Sequence, residues 1–209
     1  VKIGIIGATR GIGQALLTLT LAEGHEVTVL ARNPKKLNRG DTRLKIIQGD
    51  IRDPEAVAAL VAGQDAVCSC IGIMPTWKEA DVFSRGVANI LAAMGKDSKQ
   101  IFVTVTGIGA GDSKGHGGFL YDRLFNPLLL KAIYADKNRE EVLIRKSRVP
   151  WMIVRPGFLT NGPRTGKYRA IVNLKGITAG KISRLDVADF ILKELEKPRH
   201  FGKTPLLTY

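Results

Sequence analysis

Cysteine is scarce: Cys68 and Cys70 are the only two in 209 residues. So few exclude a disulfide framework and point to a reducing compartment, the cytoplasm. No apolar run approaches the ~18–20 residues that cross a bilayer. The opening apolar segment is too short, and too soon broken by glycine, to serve as a secretory leader. Zinc-finger spacing and aromatic-rich RNA motifs are missing. The cysteine pair has no further Cys or His pair beside it, so no metal is expected. Acidic residues are few as well. Against 32 Lys plus Arg stand 19 Asp plus Glu, a formal net charge of +13. That surplus favours anionic partners. The basic residues are scattered rather than gathered into one arm, which argues against nucleic acid as the main partner.

What is present is a rhythm. Apolar runs at Lys2–Ile6, Glu26–Leu30, Leu44–Gln48, Ala66–Cys70, Gln100–Thr104 and Trp151–Val154 read as strands. Helical patterns fall between them at Gly13–Glu23, Pro54–Val61, Asp81–Met94 and Phe119–Ser147, the last broken or kinked at Pro127. Such alternation specifies right-handed crossovers and an α/β fold, a doubly wound parallel sheet with helices on both faces. The chain is read as one domain, 1–209. Beyond the Gly- and Pro-rich loop Thr160–Gly166, a short strand is expected at Tyr168–Leu174. Ser183 should cap a last helix through Glu196, and Pro205–Thr208 should close the sheet as an edge strand.

The first strand runs into Gly7-Ala8-Thr9-Arg10-Gly11-Ile12-Gly13, and helical periodicity follows at once. A glycine turn between strand and helix lets the backbone approach a pyrophosphate, which the helix dipole favours. Gly7, Thr9, Arg10, Gly11, Ile12 and Gly13 are therefore assigned to a dinucleotide. The second strand ends at Ala31-Arg32 without the carboxylate that would hold a ribose 2′-hydroxyl. Arg32 and Arg10 instead suit a 2′-phosphate, so the expected cofactor is NADP(H). Lys35 or Lys36 would add long-range attraction. Asp50 and Ile51 read as an adenine edge and floor, although Asp50 equally reads as a helix cap before Pro54. Cys70-Ile71-Gly72, closing the fourth strand, complete the cofactor wall.

Several short segments in this order resemble the atypical short-chain dehydrogenases/reductases. They are Ile6-Gly7-Ala8-Thr9, Val27 to Arg32, Gly49-Asp50, Gly63-Gln64-Asp65-Ala66-Val67, Gly86-Val87-Ala88-Asn89-Ile90, Val154-Arg155-Pro156-Gly157 and Asp186-Val187-Ala188-Asp189-Phe190. More narrowly, the chain resembles the NAD(P)H-binding proteins related to biliverdin-IXβ reductase (flavin reductase) and to NmrA-like regulators. The resemblance implies a Rossmann-type fold. It also implies nicotinamide contacts from Thr106, Lys137, Pro156, Gly157 and Phe158. In the larger branch a Tyr four residues before the Lys protonates a carbonyl. Here Ile133 holds that place and Tyr134 comes one residue late, a turn of about 100° on a helix.

Three functions follow as expectations. The first is NADPH-dependent reduction of a flavin or biliverdin-like tetrapyrrole, a conjugated acceptor that takes its proton from solvent. Its planar, anionic acceptor would meet Trp77, Phe119, Phe158 and Arg164, under a mobile glycine-rich segment Gly107–Phe119 in which His116 is solvated. The second is an NmrA-like NADP(H) sensor without turnover. The third is a carbonyl reductase or sugar-nucleotide enzyme using Thr106, Tyr134 and Lys137. No membrane partner is expected, and a monomer is favoured.

Overall fold

The computed structural model describes residues 1–37, 40–96, 98–118, 123 and 130–209. Strands β1 (Lys2–Ile6), β2 (Glu26–Ala31) and β3 (Leu44–Gln48) alternate with α1 (Gly11–Ala22) and a short 3-10 turn at Pro34–Lys36. Next come α2 (Pro54–Val61), β4 (Ala66–Ser69), α3 (Val82–Met94), β5 (Ile101–Val105), α4 (Lys131–Lys146) and β6 (Trp151–Pro156). The chain finishes with β7 (Phe158–Thr160), β8 (Arg169–Ile171), β9 (Lys181–Ser183), α5 (Arg184–Glu196) and β10 (Leu206–Thr208). The sheet runs β3-β2-β1-β4-β5-β6-β10-β8, parallel except for β8, and β7 pairs with β9 separately.

Period-two alternation explains how one sheet feeds two cores. Ile3, Ile5, Val27, Val29, Val103 and Val105 face α1 and α5, packing on Leu16, Val187 and Ile191. Ile6, Leu30, Val67 and Phe102 point the other way, onto Leu60, Ile90 and Ile144 of α2, α3 and α4. Both faces are covered, as a parallel sheet requires.

The expected strands and helices are in place, with differences that have physical causes. Pro205–Thr208 does not form an edge. β10 is buried between β6 and β8, because its Leu206 and Leu207 are wholly apolar and find neighbours on both sides. The strand expected at Tyr168–Leu174 shrinks to β8, and β7 and β9 were not foreseen. Three-residue pairs leave too short a pattern to read. The expected kink at Pro127, like Phe119, lies outside the described residues. No described helix is long and apolar enough to cross a membrane.

Candidate functional site

The strand order reverses where β1 lies between β2 and β4, and the parallel strands leave a crevice there at their carboxyl ends. It is a cleft of about 280 Å³. Its back is the glycine turn. Gly7 has φ +89°, and a Cβ on it would stand 2.7 Å from the carbonyl oxygen of Cys70. A Cβ on Gly13 would collide with the Gly7 carbonyl, so glycine alone lets α1 start directly behind β1. Arg10, the residue preceding α1, lends it no side-chain cap, and the first turn carries no acidic residue. The leading N–H groups of α1 therefore keep their affinity for an anion.

Arg10, Arg32 and Lys36 bring positive charge to the walls. Arg32 follows β2 and is exposed. Asn33 accepts from the Lys35 N–H and starts the short turn that sets Lys36, rather than Lys35, on the wall. Arg10 and Arg32, expected to converge on a 2′-phosphate, both line the cleft. Arg10 Nη2 donates to the Gly72 carbonyl at 2.9 Å, which ties its guanidinium to the fourth-strand side. Asp50 lines the cleft but does not cap α2; Asp53 does, accepting from the Glu55 N–H. The Asp50 carboxylate is clasped instead by Arg52, through Nε at 2.9 Å and Nη2 at 3.1 Å. That side-chain clasp holds its carboxyl below the usual range.

Ile51 does line the cleft, held from behind by α3. Asn89 Nδ2 donates to the Ile51 carbonyl at 3.0 Å, and a Cβ on Gly86 would strike the Ile51 side chain. The sequence alone gives Gly86 and Asn89 no role. Their three-residue spacing on one helix face was the available signal. Burial pushes the Cys70 thiol up to about 12, so this part of the wall is neutral. Thr9, Ile71 and Gly72 also border the cleft.

The residues assigned to catalysis lie deeper. Thr106 Oγ1 donates to Glu141 Oε1 at 2.9 Å and is buried. Lys137 Nζ donates to the Val105 carbonyl at 3.0 Å, with the Phe83 ring 4.2 Å away. Burial lowers its pKa against the attraction of Glu140, Glu141 and Asp136. Tyr134 does not turn away as its one-residue offset predicts. Gly107, with φ +148°, brings the backbone so close that a Cβ there would be 2.9 Å from the Tyr134 hydroxyl. The phenol thus reaches the carboxyl end of β5.

A buried ionic network surrounds this point. Arg155 is fully buried and donates to Glu141 through Nε at 3.1 Å and Nη2 at 2.6 Å, and to Asp112 through Nη1. It pins the Gly107–Gly118 segment, where Ile108, Ala110 and Ser113 are also buried. His116 is not solvated but half-buried, its Nδ1 2.8 Å from the Ile177 carbonyl. The described part of this segment is therefore packed, in contrast to the expected lid.

Next to it, Glu140 is buried and accepts from Thr104 Oγ1, while its Oε2 has no partner among the described residues. Burial raises its pKa to about 7, against the pull of Lys137 and Thr104. The unfolded chain ionises this carboxyl near 4.5, whereas the folded protein keeps the proton up to about 7. Unfolding in that interval releases a proton, so this group makes stability fall as pH rises through it. Glu140→Gln is expected to flatten that fall and to gain on the wild type above pH 7 in urea melts. Parallel pH profiles for the two proteins would contradict the assignment.

Arg164, expected to meet the acceptor, is drawn elsewhere. Arg164 is ion-paired to Asp189 at 2.6 Å, and its Nη1 lies 3.7 Å from Glu23 at the far end of α1. Thr165 and Gly166 donate to Asp186, and Tyr168 to Asp189, so the loop is strapped along α5. Pro156 ends β6, and Gly157 leaves no room for a Cβ beside the Gly180 carbonyl. Phe158 is 38% exposed and Trp77 81%.

The family described as NAD(P)H-binding matches residues 7–198. This chain belongs to that family. The Bacillus subtilis (strain 168) protein YwnB is 32% identical over 95% of this chain and 94% of its own length. Oxidoreductase ptaF of Pestalotiopsis fici is 26% identical over 95% of this chain and 80% of its own. Among solved structures, ChuY of Escherichia coli O157:H7, an anaerobillin reductase, has the same fold. Its TM-score is 0.77 at 22% identity, covering all of this chain and 97% of that one. The cleft fits the cofactor the family name implies. The close strand–helix junction that Gly7 and Gly13 permit would seat a pyrophosphate, and Ile51 would offer adenine an apolar floor.

Proposed function

We propose that this protein is an NADPH-dependent reductase of a planar conjugated acceptor, a flavin or a linear tetrapyrrole. The observation that carries the reading is the state of the residues that would serve carbonyl chemistry. The Thr106 hydroxyl is given to Glu141 and the Lys137 ammonium to Val105, both in the interior. Reducing a ketone leaves an alkoxide that needs a tuned acid, and such an acid is poorly served by groups already committed elsewhere. A conjugated acceptor spreads the incoming charge over its rings and draws its proton from water. The protein then has to hold two flat partners in register.

NADPH, when bound, supplies two electrons and a proton together. The chain's own part is recognition. Arg32 and Lys36 suit the 2′-phosphate, while the glycine turn suits the diphosphate. Beyond Gly72 and Ile73, the exposed Met74 and Trp77 offer an apolar surface on which a ring system can stack. Similarity to an oxidoreductase, and a fold shared with an anaerobillin reductase, support the same reading.

One observation favours a second reading, carbonyl reduction. It is the Tyr134 hydroxyl beside Gly107. A panel of FMN, riboflavin, biliverdin and simple ketones, followed at the nicotinamide band, separates the two. Wild type and Tyr134→Phe are expected to consume NADPH equally with FMN or biliverdin and to ignore ketones. Ketone turnover that Tyr134→Phe abolishes would establish the second reading. NADPH binding without turnover of any acceptor would make the protein a sensor and overturn both.

A further inference from the structure

The cleft described above leaves the diphosphate bridge of the cofactor with backbone N–H groups but no assigned cation. A candidate comes from the other end of the chain. Arg184 is the first residue of α5, set there by Ser183, whose Oγ accepts from the Asp186 N–H. α5 packs along α1 on the same face of the sheet. The Arg184 side chain consequently lies over the glycine turn. A Cβ on Gly11, which has φ +62°, would stand 3.8 Å from Arg184 Nε and 3.9 Å from its Cδ.

The partners of this guanidinium are as telling as its place. Arg43, Arg52, Arg85, Arg139, Arg155 and Arg164 are each neutralised by a carboxylate. Arg184 is held by a neutral group instead: Nη1 donates to Asn161 Oδ1 at 2.8 Å. Among the described residues no carboxylate pairs with it. Asn161 follows β7, whose pairing with β9 anchors it beside the start of α5. An amide that orients a guanidinium without cancelling its charge suits an anion receptor. Glycine at position 11 keeps the space between that charge and the turn open.

We propose that Arg184, oriented by Asn161, grips the diphosphate bridge of the dinucleotide at the Gly11 turn. The inference rests on the cofactor reading above and adds a residue to it. Arg184 serves NADPH and NADH alike, since the diphosphate is common to both, whereas Arg32 distinguishes them. Asn161 is a positioning residue.

The test is a set of dissociation constants for NADPH, NADH, ADP-ribose and 2′-AMP with the wild type, Arg184→Ala, Arg184→Lys, Asn161→Ala and Arg32→Ala. Thermal melts confirm that each variant folds. Arg184→Ala should weaken NADPH, NADH and ADP-ribose together, by about ten- to a hundred-fold, the worth of a hydrogen bond to a charged group. It should leave 2′-AMP, which has no diphosphate, within about two-fold. Arg184→Lys should recover part of the loss, and Asn161→Ala should lose less than Arg184→Ala for the same ligands. Arg32→Ala should give the opposite pattern, weakening NADPH and 2′-AMP only. Unchanged NADPH and NADH binding in a folded Arg184→Ala protein, with Arg32→Ala behaving as expected, overturns this inference alone. So does a loss confined to the KM for FMN, which would give Arg184 to the acceptor's phosphate. A wild type that binds none of the four overturns the cofactor reading itself.

Discussion

Arg32→Ala raises the dissociation constant for NADPH by about ten- to a hundred-fold and leaves that for NADH within about two-fold. The expectation follows from how β2 ends. Ala31 is its last residue, and the next position holds an exposed guanidinium where a carboxylate would favour the 2′-hydroxyl. A charge-assisted hydrogen bond is worth ~1.5–3 kcal/mol, which sets the size of the loss. Lys36 stays on the wall, so NADPH keeps a residual advantage, and Lys36→Ala in the Arg32→Ala background should remove it. The contrast is read by fluorescence titration with each nucleotide at one salt concentration. Equal weakening of both would show that Arg32 does not meet the 2′-phosphate.

Arg155→Ala produces the largest change in stability, about 3–5 kcal/mol, by stranding the buried Glu141 carboxylate. For a chain of 209 residues that is a fall in Tm of about 6–20 °C, at roughly 2–4 °C for each kcal/mol. The Gly107–Gly118 segment also loses the anchor that Asp112 finds on Arg155. Arg155→Met with Glu141→Leu removes both buried charges and should recover much of the deficit, because an apolar pair escapes the desolvation penalty. A Tm for Arg155→Ala within a degree or two of the wild type would show that the network contributes little.

How much of this was legible in the sequence depends on the kind of interaction. Steric and periodic features were readable. Gly7 and Gly13 announced a close strand–helix junction, Pro54 opened α2, and Ser183 capped α5. The burial of β10 was less accessible, because two leucines and a threonine do not reveal whether neighbours lie on one side or both. Long-range ionic choices were not readable at all. Arg164 looked available for an acceptor until α5 brought Asp189 beneath it. Thr106 stood at the expected hydroxyl position, yet the register of α4 aims Glu141 at it. An ideal helix turns Tyr134 away, while the close passage of Gly107 decides where the phenol arrives. Fold was set by local pattern. The partners of each charged group were set by topology.

One structural theme links these results. The face that carries α1 and α5 brings the glycine turn, Arg184 and the Asp186–Asp189 strap together. The opposite face, through α3 and α4, supports Ile51 and buries the polar residues that resemble a catalytic set. Both faces thus contribute to the cleft, one through the glycine turn and the other through Ile51.

The claim beneath all of this is that the crevice at the β1–α1 junction receives the phosphorylated nicotinamide dinucleotide. Calorimetric titration of the intact chain with NADPH tests it most directly, run at two temperatures because a binding enthalpy can vanish at one. The account predicts saturation at one nucleotide per chain, at lower concentration for NADPH than for NADH. No heat at either temperature, or tighter binding of NADH, would contradict it.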